Sequence, residues 1–462
     1  MVRQILILFF LLIITNFSFA QSCDCRTELL FLKKQIETNY SGFKDKVKSS
    51  NRAQYDAIST EVLKQATQDT KSTYCLRLMN EWLSFFKDGH IYIGMADTVA
   101  INKLIRETEV ISITPQNLTR LKISKNAEGV YYSSDSTYKI AIIKNKTSFR
   151  DYAGVILTSK SSFWKPGQVK MELKQTTKSA FKAYYYSKDH SIQVLNYSFD
   201  GKSLNNGDWT KEGIIAASAN TQTFVPVQFK SLSDRTSYIR IGTFDEGNSK
   251  AIDSVFKANE SSLKSKPNLI LDLRGNGGGA DFAFYPILPY LYTNPIYNIG
   301  TDVLATDDNI KSWLPILSNN NFPQSTKDAI KNNITKMQEH IGRYVSLSDD
   351  DTTKFEKIEP YPQKIVILID NHCASTTEQL LLTALQSKKV TLMGQRTAGV
   401  LDHASVRSAP FPCSHFTLYY ATTRSRRIDQ GKGIDDTGGI KPNIVLPFDQ
   451  NWITEATKYL EK

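Results

Sequence analysis

Residues 364–385 read KIVILIDNHCASTTEQLLLTAL, and this stretch decides the fold. An apolar, β-branched run is followed by a short polar turn and then by an apolar pattern with helical spacing. A buried strand that turns sharply into a helix is the building unit of an α/β domain with a parallel sheet. Similar units recur from residue 236 onward, so we predict an α/β domain over residues 233–462.

Ser375 lies at the turn of this unit, three residues before Glu378. A serine at the N-cap with a glutamate at the third helical position forms a capping box, a common helix start worth about 1 kcal/mol. A serine on a sharp strand-to-helix turn is also the geometry of a nucleophile elbow. The local pattern leaves both roles open.

A second strand-to-helix turn, LDLRGNGGGADF at residues 271–282, is rich in glycine. Its N–H groups can bind an anion at the positive end of a helix dipole, either a phosphate or the oxyanion of an acyl-transfer intermediate. Gly275, Gly277 and Ala280 satisfy the G-x-G-x-x-A dinucleotide pattern, but no acidic residue clearly ends a second strand about twenty positions on. The purely structural interpretation is a tight turn that needs glycine.

A nucleophilic serine needs a base, normally a histidine and occasionally a lysine. Among the six histidines, His90 stands out because it ends the predicted helical region within the sequence FKDGHIYI. Gly89 breaks the helix there and lets the ring turn toward a cleft. By position alone, His90 is either a candidate base or an ordinary surface residue.

The rest of the chain divides into regions that differ in composition and in the spacing of their apolar residues. Residues 1–20 combine a positive charge, a long apolar run and small residues at the cleavage positions, which is typical of a secretory signal peptide. Residues 21–104 have amphipathic helical spacing, and residues 105–232 consist of short β-branched or aromatic segments typical of a small all-β domain. A polar helical stretch at 305–345 is predicted to be an insertion or lid in the α/β domain.

Charge and hydropathy restrict the partners. The 462-residue chain carries a net charge of +11 without a dense Lys/Arg run, which favours a solvated basic surface over nucleic-acid binding. Beyond the signal segment no stretch reaches the length of a membrane span. We therefore predict an exported protein, periplasmic or extracellular, with no stable membrane span. The oligomeric state has no signal in the sequence.

Five cysteines remain after removal of the signal peptide: Cys23, Cys25, Cys75, Cys373 and Cys413. Export permits disulfides, and an odd count leaves at least one thiol unpaired within the chain. One of the first two is predicted to pair with Cys75 across the N-terminal helices. No CxxC or HxxxH spacing occurs, so neither a metal site nor an organic cofactor is predicted.

Four blocks of the sequence, taken together, resemble the tail-specific, or C-terminal-processing, serine peptidase family. They are NLILDLRGNGGG, VILIDNHCASTTEQLLLTAL, LMGQRTAG and GGIKPNIVLP, in the family's order over about 236–446. The resemblance implies a crotonase-like α/β core with Ser375 as the nucleophile. It also implies an oxyanion hole made by the N–H groups of Gly278 and Thr376. Asn443 departs from the usual Asp of the last block.

The resemblance also bears on the base. The Ser-Lys branch has a lysine directly after the last glycine of the third block, where this chain has Val400. The tricorn-like branch takes a histidine from the N-terminal helical region, often in a D-G-H sequence, which implies His90. In that branch an acidic residue before the G-I-x-P motif completes the site. Asp436 is the aligned residue, an Asp in place of the usual Glu, and Asp435 is the less favoured substitute.

Many members of the family carry a PDZ module between the helical region and the core. The PDZ carboxylate-binding loop is not recognisable in residues 105–232, so a different, barrel-like β domain is predicted there. The complete prediction is an exported serine peptidase that hydrolyses peptide bonds in peptides or unfolded protein tails. The alternative is a non-catalytic ligand- or peptide-binding protein built on the same core.

Overall fold

The structure is a computed structural model. It describes residues 24–67, 71–121, 124, 126–214, 225–319, 323–347, 349–412, 416–448 and 450–462. The predicted signal peptide at 1–20, together with Cys23 and Cys413, lies outside the described residues. Within the described ranges, no helix has the length and apolarity that crossing a lipid bilayer requires.

The N-terminal part is helical, as predicted. Its elements are α1 (Cys25–Asn39), α2 (Phe43–Lys46), α3 (Arg52–Gln65), α4 (Ser72–Leu83), β1 (Tyr92–Met95), α5 (Thr98–Glu107) and α6 (Pro115–Leu121). Helix α4 buries Leu76, Met79 and Trp82 along one apolar stripe. A disulfide joins Cys25 to Cys75, so the predicted pairing with Cys75 is confirmed. This bond ties the first helix to the helix that leads toward His90.

The β-rich part is one antiparallel sheet of eight strands that is nearly closed. Its strands are β2 (Gly129–Ser133), β3 (Tyr138–Lys144), β4 (Tyr152–Ser159), β5 (Val169–Thr177), β6 (Ala180–Tyr186), β7 (Ile192–Ser198), β8 (Ser203–Leu204) and β9 (Trp209–Lys211). Their order is β7-β6-β5-β4-β3-β2-β9-β8. A bridge between Phe199, just after β7, and Leu204 in β8 brings the two ends together. The prediction of a small all-β domain is confirmed.

The C-terminal part alternates strands and helices. Its elements are β10 (Val227–Ser231), β11 (Thr236–Ile241), α7 (Ser249–Ala258), α8 (Glu260–Leu263), β12 (Asn268–Asp272), α9 (Leu288–Leu291), β13 (Ile296–Asn298), β14 (Thr301–Leu304), α10 (Asp307–Lys311), α11 (Leu314–Ser318), α12 (Gln324–Gln338), β15 (Tyr344–Ser346), β16 (Asp351–Thr353), β17 (Lys364–Ile369), α13 (Thr376–Ala384), β18 (Val390–Gly394), β19 (His403–Pro410), β20 (Phe416–Ser425), β21 (Ile444–Val445) and α14 (Trp452–Leu460).

A six-stranded sheet forms the centre of this part, in the order β10-β11-β12-β17-β18-β21. All neighbours are parallel except β10, which is an antiparallel edge strand. Strands β12 and β17 lie side by side, with Leu271 opposite Ile367, both completely buried. Because the carboxyl ends of parallel strands share one edge, the two turns singled out in the sequence meet there.

The segment between β14 and β15 contains α10, α11 and α12, and covers most of the predicted 305–345 insertion. It has a small apolar core of its own, with Val303, Ile334 and Met337 buried together. Strands β14 and β15 pair with each other, and β14 also pairs with β20. The insertion is therefore anchored in a sheet at both of its ends.

A second, five-stranded sheet joins the N-terminal and C-terminal parts. Strand β20 pairs with β1 and β14 on one edge and with β19 on the other. Tyr92 in β1 lies opposite Tyr419, and His403 in β19 lies opposite Arg424. Since His90 comes two residues before β1 and His403 begins β19, β20 brings these two histidines into the same region.

We expect loss of the disulfide to destabilise the helical part. The bond spans 50 residues, and for a loop of that length the chain-entropy treatment gives about 4 kcal/mol at 25 °C. A Cys25→Ser/Cys75→Ser double variant should unfold at lower urea concentration than the oxidised wild type, as followed by circular dichroism. Reduction should shift the wild type to the same midpoint and leave the variant unchanged. Equal midpoints for oxidised wild type and variant would contradict this expectation.

Candidate active site

The turns after β12 and β17 are hydrogen-bonded into one unit. The Gly275 N–H donates to Asp370 Oδ1 at 2.9 Å. The Asn276 carbonyl accepts from the Ala374 N–H at 3.2 Å and from Thr377 Oγ1 at 2.9 Å. The glycine-rich loop and the serine turn therefore hold each other in place.

Ser375 occupies the N-cap of α13 with a φ of +55°, which is uncommon for a residue that carries a Cβ atom. Its N–H lies 2.9 Å from the Val400 carbonyl oxygen and 3.2 Å from Glu378 Oε2. The second contact is the carboxylate half of the predicted capping box. A serine held at positive φ between strand and helix also has the strained geometry of a nucleophile elbow. The two interpretations of this turn are therefore compatible.

His90 lies beside Ser375, although the two residues are 285 positions apart in sequence. Its Nε2 atom is 3.1 Å from Ser375 Oγ, and its Nδ1 atom is 2.5 Å from the carbonyl oxygen of His403. Because a carbonyl only accepts, Nδ1 carries the proton and Nε2 offers its lone pair to the serine hydroxyl. This is the arrangement of a base that takes a proton from serine.

The turn that carries His90 is fixed on both sides. Asp88 Oδ1 accepts from the His90 N–H at 2.8 Å, and Asp88 Oδ2 accepts from the Tyr40 hydroxyl at 2.6 Å. A Cβ atom added to Gly89 would lie 2.9 Å from Val400 Cγ2. The residue that replaces the lysine of the Ser-Lys branch therefore packs directly on the backbone of the D-G-H turn.

Glu378 is completely buried and connects α13 to the loop after β18. Its Oε1 atom accepts from Thr397 Oγ1 at 2.5 Å and from the Gly399 N–H at 2.8 Å, while Oε2 accepts from the Val400 N–H at 2.8 Å. Burial raises the pKa of Glu378, and these donors oppose the shift because they favour the ionised form. The carboxylate fixes the position of the loop that touches Ser375.

Gly278 and Thr376, the predicted oxyanion donors, lie against Ser375. Gly278 has a φ of +103°, and a Cβ atom there would lie 2.8 Å from Ser375 Cβ and 2.9 Å from the Thr376 nitrogen. Thr376 begins α13, so its N–H has no intrahelical acceptor. The Gly278 N–H donates to Asn276 Oδ1 at 3.0 Å, so an oxyanion would compete with this side chain. A loop that faces serine so closely is unlike the open phosphate pocket that nucleotide binding requires.

Asp436, predicted to complete the site, lies elsewhere. Its side chain is 73% exposed and accepts from Lys46 Nζ at 2.8 Å. His90 Nδ1 contacts the carbonyl of His403 rather than this carboxylate. The neighbouring Asp435 turns inward instead, because its carboxylate accepts two backbone N–H groups of the loop before β19. Alignment to the family motif does not show which of Asp435 and Asp436 belongs to the site, whereas their different burial does.

Asp435 belongs to a buried ionic cluster around the His403 ring. His403 Nδ1 lies 3.8 Å from Asp88 Oδ2 and 3.7 Å from Asp435 Oδ2, and Nε2 donates to Asp45 Oδ2 at 3.0 Å. Burial lowers the pKa of His403, but the three carboxylates outweigh burial and raise it to about 9. Asp88, His403 and Asp435 are also the one group in the described part of the chain with possible metal-ligating atoms within 4.8 Å of one another.

Three residues of the site were not predicted individually. Asn276 and Thr397 lie within the blocks NLILDLRGNGGG and LMGQRTAG, so these two blocks were the available signal. His403 belongs to none of the four blocks. It contacts His90 through its backbone carbonyl, and a backbone contact leaves no residue-type signal in the sequence.

Residues 235–446 match the model of peptidase family S41. The matched segment makes up just under half of the chain, and the S41 peptidase family is assigned to this segment. This S41 peptidase is therefore a hydrolase of the serine peptidase type, and the family and enzyme class predicted from the four sequence blocks are confirmed. Peptides or proteins are the substrates that membership of this family implies.

The S41 peptidase is also similar to several solved structures. Mature CPAF is 14% identical with a TM-score of 0.47, over 95% of this chain and 96% of that chain. A putative peptidase from Parabacteroides merdae is 14% identical with a TM-score of 0.44, over 95% and 97%. The photosystem II D1 C-terminal processing protease is 13% identical with a TM-score of 0.41, over 95% and 97%. Similarities this low assign no role to any residue. No curated protein matches the chain.

We expect Gly278→Ala to inactivate the S41 peptidase. The added methyl group would meet Ser375 Cβ and the Ala374 carbonyl at 2.8 Å, so the two loops must separate. A displacement of about 1 Å at a reacting centre costs about 10²-fold in rate. The matched control is Gly277→Ala, because a Cβ atom there has nothing within 4 Å. Hydrolysis of a fluorogenic peptide by both variants checks this, and thermal melting confirms that each variant is folded. Equal hydrolysis rates would contradict the expectation.

Proposed function

We propose that Ser375 and His90 form the catalytic pair of this S41 peptidase and that it cleaves peptides or unfolded protein tails. The observation that carries the proposal is the 3.1 Å separation between His90 Nε2 and Ser375 Oγ, with the opposite ring nitrogen held on a carbonyl. Nucleophile and base are within hydrogen-bond reach, and the base is oriented by a third group.

In the first half of the proposed reaction, Ser375 Oγ attacks the carbonyl carbon of the substrate while His90 Nε2 takes the hydroxyl proton. The developing oxyanion accepts from the Thr376 N–H and from the Gly278 N–H, which exchanges its Asn276 acceptor for the stronger anionic one. The His90 imidazolium then gives its proton to the leaving amine as the carbon–nitrogen bond breaks, and an acyl-enzyme remains.

In the second half, a water molecule attacks the acyl carbonyl carbon while His90 Nε2 takes one of its protons. The same two N–H groups hold the oxyanion again. Collapse of this intermediate breaks the bond to Ser375 Oγ, which recovers its proton from His90 and releases the carboxylic acid product. All of these steps use side chains and backbone groups of the chain itself.

The finer fold assignments are part of the same proposal. We infer a crotonase-like core for the α/β part, supported by adjacent parallel strands whose carboxyl-terminal turns build the site. We also infer that β2 to β9 form a module distinct from PDZ. Its support is the sheet of eight antiparallel strands that nearly closes on itself.

Replacing either member of the pair tests the proposal. We expect Ser375→Ala and His90→Gln each to lower kcat by at least about 10³-fold on a fluorogenic peptide library, because each removes a partner of one proton transfer. His340→Gln is the matched control, since that ring is exposed and contacts only the Lys336 carbonyl among the described residues. Turnover equal to wild type in Ser375→Ala or His90→Gln would end the proposal.

We further propose that the protein is exported to the periplasm or the extracellular space. The signal-like residues 1–20 support this, and so does the Cys25–Cys75 disulfide, because disulfides persist in oxidising compartments. Mass spectrometry of the protein from the producing cells should find a mature N-terminus at Gln21 in the exported fraction. Retention of residues 1–20 in cytoplasmic protein would contradict export.

A further inference from the structure

We propose that His403 is a positioning residue that keeps the His90 ring in the tautomer a base requires. Its backbone carbonyl holds the ring, and its buried side chain holds the carbonyl. The inference rests on the proposed function, because it assigns how the base of that reaction is oriented.

The first step concerns the carbonyl itself. Serine peptidases with a histidine base ordinarily place a carboxylate on the ring nitrogen that faces away from the nucleophile. In this chain the His403 carbonyl oxygen lies 2.5 Å from His90 Nδ1. A neutral acceptor selects the same tautomer, with Nδ1 protonated and Nε2 free. It does so only if the carbonyl has a fixed position.

The second step is the anchoring of the His403 side chain, which is 2% exposed. Its Nε2 donates to Asp45 Oδ2 at 3.0 Å, and Arg424 Nε donates to the same oxygen at 2.6 Å. Arg424 also lies opposite His403 in the β19–β20 pairing. His403 and Arg424 are thus neighbours across the two strands, and both side chains bind the same carboxylate oxygen of Asp45.

The third step is that Asp88 lies close to both His90 and His403. Asp88 Oδ1 accepts from the His90 N–H at 2.8 Å, and its Oδ2 lies 3.8 Å from His403 Nδ1. Together with the contact between the His403 carbonyl and His90 Nδ1, this links His403 to both the backbone and the ring of His90. The D-G-H turn and the start of β19 are therefore joined at two points.

The fourth step is a reciprocal pair of carboxylates that fixes the segment before His403. Asp435 Oδ1 accepts from the N–H groups of Leu401 and Asp402 at 2.7 and 2.9 Å. Asp402 Oδ2 accepts from the N–H groups of Ile434 and Asp435 at 2.6 and 2.9 Å. Asp435 thus acts on the site through the loop and the His403 ring rather than through His90 directly.

Charge balance explains why a histidine suits this position. Asp45, Asp88 and Asp435 surround the ring, and an unpaired buried carboxylate is costly. The neighbouring cations have other partners as well: Arg424 also contacts Asp429, and Lys46 contacts Asp436. A protonated His403 places its positive charge between the carboxylates. A neutral side chain of similar size would leave them uncompensated and loosen the segment.

Kinetics of His403→Gln provide the first test, with His340→Gln as the matched control. The variant keeps the backbone carbonyl of residue 403 but loses the imidazole side chain that holds this carbonyl in place. We expect kcat to fall about tenfold to hundredfold with KM changed by less than about twofold, because orientation of the base matters in the transition state. Wild-type kcat in folded His403→Gln would overturn the proposal.

Nitrogen-15 NMR of the histidine rings provides a second readout that needs no activity. His90 signals are assigned by their absence in His90→Gln. In the neutral ring we expect Nδ1 protonated in the wild type and in His340→Gln, and a mixture of tautomers in His403→Gln. A wild-type ring with Nε2 protonated would overturn the proposal, even if His403→Gln fails to fold. So would a stoichiometric divalent metal ion in the purified protein, measured by plasma mass spectrometry.

The two readouts separate this inference from the proposed function. If Ser375→Ala or His90→Gln retains activity, the proposed catalytic pair fails, whereas the tautomer of His90 still reports on His403. If both variants are inactive while His403→Gln has wild-type kcat and wild-type ring signals, the catalytic pair stands and the positioning role fails.

Discussion

The buried carboxylate of Glu378 is the interaction on which the site depends. It accepts from the Thr397 hydroxyl and from the N–H groups of Gly399, Val400 and Ser375. A buried donor without an acceptor costs about 1–3 kcal/mol, so four donors converging on one carboxylate leave the loop after β18 a single favourable position. That position determines which backbone oxygen meets the serine turn and which side chain faces the histidine turn.

Around Glu378, contacts of backbone groups and small side chains hold the serine turn and the histidine turn in position. Val400 contributes its carbonyl to the Ser375 N–H and its methyl groups to the surface of Gly89. A lysine at this position, as in the Ser-Lys branch, would need the space that the D-G-H turn occupies. Valine at 400 and glycine at 89 are therefore parts of one arrangement, in which the two loops pack directly on each other.

The sequence was informative where chemistry requires a residue type. Ser375, Gly278 and the D-G-H histidine could be singled out because the roles proposed for them, and the positive φ at Gly278, each restrict the amino acid; the structure brings these residues together. It was uninformative where a backbone group acts, as with the carbonyl of His403, or where burial alone decides, as between Asp435 and Asp436. The β-rich sequence of residues 105–232 predicts an all-β domain. The order of its strands depends on long-range pairing, which the sequence pattern does not show.

The late position of β20 in the sequence has a consequence for how the site assembles during folding. The segment Phe416–Ser425 comes after both His90 and His403 in the chain, yet its pairing with β1 and β19 is what brings these two histidines into the same region. Before this strand pairs, no shared sheet holds the His403 carbonyl beside the His90 ring. The geometry around His90 therefore depends on contacts between segments that are far apart in the sequence and form only in the complete sheet.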